Sequence, residues 1–353
     1  MNGGSRFTAG YRLPTGSGAV IMAGGIFGAV ALQALPHGPP FTKPLAVLLA
    51  LGWLAIAALI ALDTARDGIV VHTGSLIGSF AIGTWVAASA VVARMAMLAA
   101  PQAPLFAQAM FVIGSLVWVW FVPRALRNLA HIARRPAGET RPTGVILLTT
   151  VATQAVALPA FRLFAAVAPV RVAATVLMGL GFGCYLVGAA LILRRYVAGA
   201  RWRLATDWDN TNCILHGALS ITGLAAVVSG LFGAAVLVPF WATTLAVFAV
   251  VEAAELARLV ARVRVFGWRE AVLVYDVTQW ARNFTFGMFY AFTAAVAGTS
   301  TLDEPYPALA AFAGAILAYG QYVVLLLLLA ELALMACALA NRLRRAASSR
   351  RAG

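Results

Sequence analysis

Acidic residues are scarce in this chain. Only 12 of its 353 residues are Asp or Glu, and charged residues of both signs make up 11%. Soluble domains carry roughly a quarter. With 62% hydrophobic residues and a mean hydropathy of +0.89, there is too little polar surface to cover a water-soluble fold. Lysine is almost missing: Lys43 stands alone against 25 Arg. Histidine and cysteine are sparse and dispersed. His37, His72, His131 and His216 fall in different loops and spans, and Cys184, Cys213 and Cys337 lie in separate apolar stretches. Neither set has a metal-ligand spacing, so no metal and no cofactor is expected, and the cysteines read as core residues. Paired carboxylates, an H-E-x-x-H run and a Ser/His/Asp set are all lacking, so the chain does not read as an enzyme. The glycines at 16–18 and 24–25 are followed by no Lys-Ser/Thr and preceded by no strand. They are expected to allow close helix contact rather than to cradle phosphate.

What the chain has in quantity is long apolar runs. A span needs about 20 such residues. Ten runs qualify, at roughly 17–35, 44–63, 72–99, 104–123, 143–161, 171–193, 211–233, 236–257, 275–298 and 306–340. The expected class is an all-α integral membrane protein of ten transmembrane helices. A cytoplasmic tail (1–16) precedes the membrane domain (17–340), and a basic cytoplasmic tail (341–353) follows it. The net charge of +14 then reads as positive loops beside a lipid bilayer, not as nucleic-acid binding.

Loop charge sets the expected orientation. With the N-terminus inside, one face holds 21 basic residues, from Arg6 and Arg12 through the 124–141 and 258–269 clusters to five Arg after residue 341. The other holds four: Lys43, Arg94, Arg162 and Arg171. This puts both termini in the cytoplasm and pairs the spans as five hairpins in the inner (plasma) membrane. The odd spans carry the small and polar residues, such as Gly78–Trp85, Thr149 to Gln154 and Asn212–Gly223. The even ones are mostly Ala, Leu, Val and Trp. Helices polar on one side face the bundle interior, so five odd helices are expected to form an inner pore ring and five even ones an outer ring.

Residues 275–293, YDVTQWARNFTFGMFYAFT, sharpen this reading. The run W-A-R-N-F-T-F-G-M-F-Y resembles the ninth-helix signature of the tellurite-resistance/C4-dicarboxylate transporter family, related to the slow anion channels, with Thr285 where that signature has Pro. P-T-G-S-G-A-V-I-M-A-G-G-I (14–26), V-I-L-L-T-T-V-A-T-Q-A-V-A-L (145–158) and D-W-D-N-T-N-C-I-L-H-G-A-L-S-I-T-G-L-A (207–225) are similar to its first, fifth and seventh helices. The resemblance implies a pore lined by odd helices and closed by a phenylalanine on helix nine, here Phe284. It also implies small-anion substrates (C4-dicarboxylate, sulfite, tellurite-linked or inorganic anions) and a homotrimer.

Against that frame, Thr149, Thr153, Gln154, His216, Ser220, Thr222, Asn283 and Gly287 are the expected pore-lining residues. Hydroxyls and amides can donate to a passing anion, although a Thr hydroxyl also bonds back to its own helix. His216, with Ser220 four residues on, reads either as an anion or proton site or as an interior histidine bonded to a neighbour. Arg282 reads as an attractor at the cytoplasmic pore mouth, as a partner of Asp276, or as a side chain that snorkels to the headgroups. Asp207 and Asp209 read as helix caps, and Glu255 as a local partner of Arg258. Glu331 is the oddest charge. With His216 it carries the alternative of a proton-coupled dicarboxylate carrier. A membrane-embedded enzyme acting on lipids is the minor alternative. It would need Asp, Glu and His gathered at one depth.

Overall fold

A computed structural model of the chain describes residues 12–136, 139–198, 202–299 and 306–352. Every regular element among them is helical. Residues 1–11 of the expected N-terminal tail, including Arg6, lie outside the described residues, as does Arg201. Among the described residues, nine helices are long and apolar enough to cross a membrane. They are α1 (Thr15–Ala34), α2 (Pro39–Asp67), α3 (Gly78–Ala99), α4 (Leu105–Arg134), α5 (Gly144–Leu163), α6 (Ala168–Ala198), α7 (Asn210–Ser229), α8 (Ala234–Val272) and, after the next helix, α10 (Pro307–Arg344). Between α8 and α10 lies α9 (Trp280–Ala297), 18 residues long. Arg282, Asn283, Thr285 and Thr293 make it less apolar than the rest. It runs unbroken through Thr285, whose hydroxyl donates to the Arg282 carbonyl at 3.0 Å.

The helices form two layers. α1, α3, α5, α7 and α9 pack each against the next, and α9 returns to α1, closing a ring. The other five cover the seams of that ring: α2 over α1 and α3, α4 over α3 and α5, α6 over α5 and α7, α8 over α7 and α9, α10 over α9 and α1. Burial follows the layers. In its most apolar stretch α5 is 89% buried and α2 only 6%. Outer helices present Leu48, Leu51, Leu116, Val176, Val250 and Leu326 outward. An apolar exterior of this extent fits a lipid solvent, not water.

All five inner helices begin with a 3₁₀ turn: Thr15–Ser17, Gly78–Ile82, Gly144–Leu147, Asn210–Cys213 and, just ahead of α9, Val277–Gln279. The turns touch one another in the same cyclic order as their helices. Their free N–H groups find partners on neighbours. Gly144 donates to Asn212 Oδ1 and Val145 to Thr211 Oγ1, both at 3.0 Å. Asp209 caps α7 by accepting from Thr211 N–H at 2.9 Å. Asp276 closes a capping box with Gln279 before α9. Asp207 instead accepts from Arg203 N–H at 2.7 Å. That bond, with the Arg141 guanidinium nearby, holds its carboxyl below the usual range. Gly144 is needed here because a Cβ would overlap the Thr211 carbonyl oxygen. Gly18 and Gly25 likewise face Thr84 and Val91 with no room for a side chain. The glycines of α1 thus serve close helix contact.

The apolar runs misjudge several helix ends. α4, α6 and α8 continue to Arg134, Ala198 and Val272, well past the apolar limits at 123, 193 and 257. Arginine stops a hydropathy run but not a helix. Gly267 (φ 78°) breaks α8 near its end. Residue 72 lies in a separate turn, Val70–Thr73, and α3 starts only at Gly78.

Candidate functional site

The ring encloses a cavity of about 360 Å³, walled by residues of all five inner helices. Its sides are mostly Ala, Val, Ile and Leu. On α9 the lining runs Phe284, Met288, Ala291, Ala294 and Ala295. At 1.5 Å per residue that is about 16 Å of depth, with Phe284 innermost. Following the same helix faces further toward the N-termini leads to Met22, Phe80, Val151 and Ile214. Each of these is at most 2% exposed, and all belong with Phe284 to one packed core. The interior of the ring therefore holds a cavity toward one end and packed apolar side chains toward the other, with Phe284 at the boundary.

Two arginines line this cavity, Arg94 on α3 and Arg162 on α5. They lie close enough for their charges to repel. Neither forms an ion pair or a hydrogen bond among the described residues. Sequence reasoning counted both as loop charges and missed them. The signal was available for Arg94, which falls inside the run 72–99.

Of the expected site residues, only Phe284 lines the central cavity. The others lie away from it, and several find hydrogen-bond partners in the seams between layers, whereas Thr149 Oγ1, Gln154 Oε1 and Asn283 Oδ1 have none among the described residues. Thr153 accepts from Trp118 of α4 at 3.0 Å and donates to the Thr149 carbonyl. Thr149 is fully buried one turn before it. Gln154 donates to the Met178 carbonyl of α6 at 3.0 Å and to Thr222 at 3.2 Å. Ser220 and Thr222 bond back to their own helix, to His216 and Ala218. His216 sits with Nε2 3.2 Å from Glu252 of α8, against Phe248 and Phe286. Gly287 lets α1 approach, since a Cβ there would meet Ile26.

Arg282 is also not at a central pore mouth, and its partner is not Asp276. Its guanidinium lies 2.7 Å from Glu255 and 3.8 Å from Glu252. Arg258 joins Glu255 at 3.2 Å and Asn210 at 2.5 Å, and Trp208 donates to Glu255 at 2.8 Å. This network walls a second, lateral cavity of about 460 Å³ between α8, α9 and α10, which Asn283 and Glu331 also line. No group of three or more His, Cys, Asp or Glu is placed to hold a metal among the described residues.

Compared with known proteins, the chain matches no family model and no curated sequence.

Proposed function

We propose that the chain is a channel or transporter for small anions in which the central ring is the path and Phe284 the gate. In this reading all ten helices cross the inner membrane as five hairpins with both termini in the cytoplasm. The cavity then opens outward, and the apolar plug faces the cytoplasm. The loop arginines support that orientation. The motifs of helices one, five, seven and nine that resemble the tellurite-resistance/C4-dicarboxylate transporter family support the assignment, and that resemblance adds a trimer.

The observation that carries it is Arg94 with Arg162. Two cations of the same sign share a low-dielectric cavity that no carboxylate among the described residues lines or pairs with. Unpaired charge in such a place costs several kcal/mol per ion. Water and a mobile anion are what offset it. Burying a bare anion in the apolar bore would cost tens of kcal/mol by simple solvation estimates, so the pair also supplies what the Ala and Val wall lacks.

The test is anion flux into proteoliposomes with chloride, nitrate, sulfite and malate. Phe284→Ala is the open background, and Arg94→Gln and Arg162→Gln are added to it singly and together. Each arginine change should lower anion flux about tenfold, the effect of losing one charge-assisted contact of about 1.4 kcal/mol. Equal passage of sodium and chloride, or flux indifferent to both arginines, would overturn the reading. Slow, saturable, pH-dependent malate uptake in every variant would replace the channel by a carrier.

A further inference from the structure

The lateral cavity holds two buried oxygens that nothing among the described residues satisfies. Glu331 of α10 is 7% exposed and Asn283 of α9 is 4% exposed. Glu331 Oε1 and Asn283 Oδ1 have no hydrogen-bond partner among the described residues, and both residues line the cavity. A buried acceptor left open costs about 1–3 kcal/mol, and more for a charged group. Such a pair calls for a donor.

The surrounding charge narrows the donor. From α8 the cavity is faced by Glu252, Glu255, Arg258 and Arg262, from α9 and its lead-in by Asp276 and Arg282, and from the lead-in to α7 by Asp209. Arg258 and Arg282 are engaged by Glu252 and Glu255, and Arg262 donates to the Glu270 carbonyl. With Glu331, five carboxyls face three arginines. That balance disfavours an anion, although Arg258 Nε and Arg282 Nε and Nη2 are also buried without a hydrogen-bond partner among the described residues, and a neutral donor would leave Glu331 uncompensated. A bare metal ion wants six or more oxygens, and a volume of about 460 Å³ is far larger than it fills. An ammonium offers three N–H donors and one positive charge. Leu256, Leu259, Val272, Val274 and Leu327 supply an apolar wall for an alkyl chain.

We propose that this lateral cavity binds a protonated alkyl amine, its ammonium held by the Glu331 carboxylate and the Asn283 side-chain oxygen. Asn283 adjoins Phe284 on α9, so the bound amine braces the helix that carries the gate. That last step rests on the anion-pathway reading. The binding itself does not.

The test is calorimetric titration of the detergent-purified full chain with n-butylamine, which is charged at neutral pH, and with n-butanol as its uncharged counterpart. Saturable amine binding with no heat from butanol is expected. Glu331→Gln should weaken it roughly tenfold or more, and Asn283→Asp, which adds a second carboxylate, should tighten it by a similar factor. Thermal unfolding of each variant separates lost binding from lost fold, and Asn283→Asp keeps the test decisive if Glu331→Gln does not fold. Repeating the titration in phosphatidylcholine nanodiscs with and without phosphatidylethanolamine distinguishes two sources of the same ammonium. Weaker butylamine binding with the ethanolamine lipid assigns the site to a headgroup, and unchanged binding to a free amine. No saturation by about 10 mM, beyond the millimolar limit of a specific contact, would overturn the proposal. So would equal binding of butanol, or sodium competing as well as the amine. Because transport is not measured, failure here leaves the anion reading standing, and failure of that reading leaves this one.

Discussion

Arg282 Nη2 lies 2.7 Å from Glu255 Oε2, tying the helix that carries Phe284 to the outer helix α8. Arg282 keeps 30% of its side chain exposed, and Glu255 only 4%. Removing the arginine leaves Glu255 with Arg258 and Trp208 alone and strips Glu252 of its cation. We expect Arg282→Gln to destabilise by on the order of 2–3 kcal/mol, below the range for a fully buried pair because water screens part of it. Glu252→Gln in the same chain should recover part of that loss. Thermal unfolding of the single and double variants measures the coupling, and unchanged melting of Arg282→Gln would show that the tie contributes nothing.

Phe284→Ala should separate stability from closure. Phe284 is 2% exposed, so truncation costs roughly 3–5 kcal/mol. Anion flux should nevertheless rise several-fold, because the ring at the inner end of the cavity is gone. Phe284→Leu should stay closed, since it keeps most of the volume. A Leu variant as leaky as the Ala variant would remove the steric account of the gate.

The turns at the base of the inner ring give a sharper stability test. Gly144→Ala would drive a Cβ into the Thr211 carbonyl, which is backbone and has nowhere to go. A loss of about 3 kcal/mol or more is expected, at the upper end for overpacking. Gly179 on α6 has nothing within 4 Å of its Cβ position, so Gly179→Ala should be neutral or slightly stabilising. Similar melting points for the two would mean that the turns do not pack this tightly.

Two adjacent residues of α9 test which face meets water. Ala294 lines the central cavity, whereas Thr293 is fully buried and accepts from Trp241 of α8 at 3.0 Å. Cys337 is the exposed native thiol among three free cysteines, so the background is Cys337→Ser. A membrane-impermeant thiol reagent added outside should label Ala294→Cys and spare Thr293→Cys. The reverse pattern would turn α9 around.

The layering of the chain was legible in its residues to a definite depth. Apolar runs located the helices, and polar residues marked the helices that the structure buries. Which face of a buried helix those polar residues occupy was not legible. Thr153, Gln154, His216 and Thr293 each find a partner across a seam, on Trp118, Met178, Glu252 and Trp241. Helical periodicity places such residues on a stripe but does not say whether the stripe faces a bore or a neighbour. Hydrogen bonding decides, because an apolar bore satisfies no hydroxyl. Arg94 and Arg162 were misplaced for the opposite reason. Charge near the end of an apolar run reads as a loop, and only the closed ring shows that their helices turn them inward.

The five inner helices start at one end of the ring and run the same way. Each helix carries about half a positive charge at its start and half a negative one at its finish. The outer helices run in the opposite sense but stand farther from the axis, so their cancellation there is incomplete. The potential on the axis therefore rises toward the plugged end, where the positive helix starts lie, and the energy of an anion there falls in the same direction. Once the plug is removed, inward and outward anion currents at equal driving force should differ, and the conductor should behave as a rectifier whose direction is set by chain topology alone.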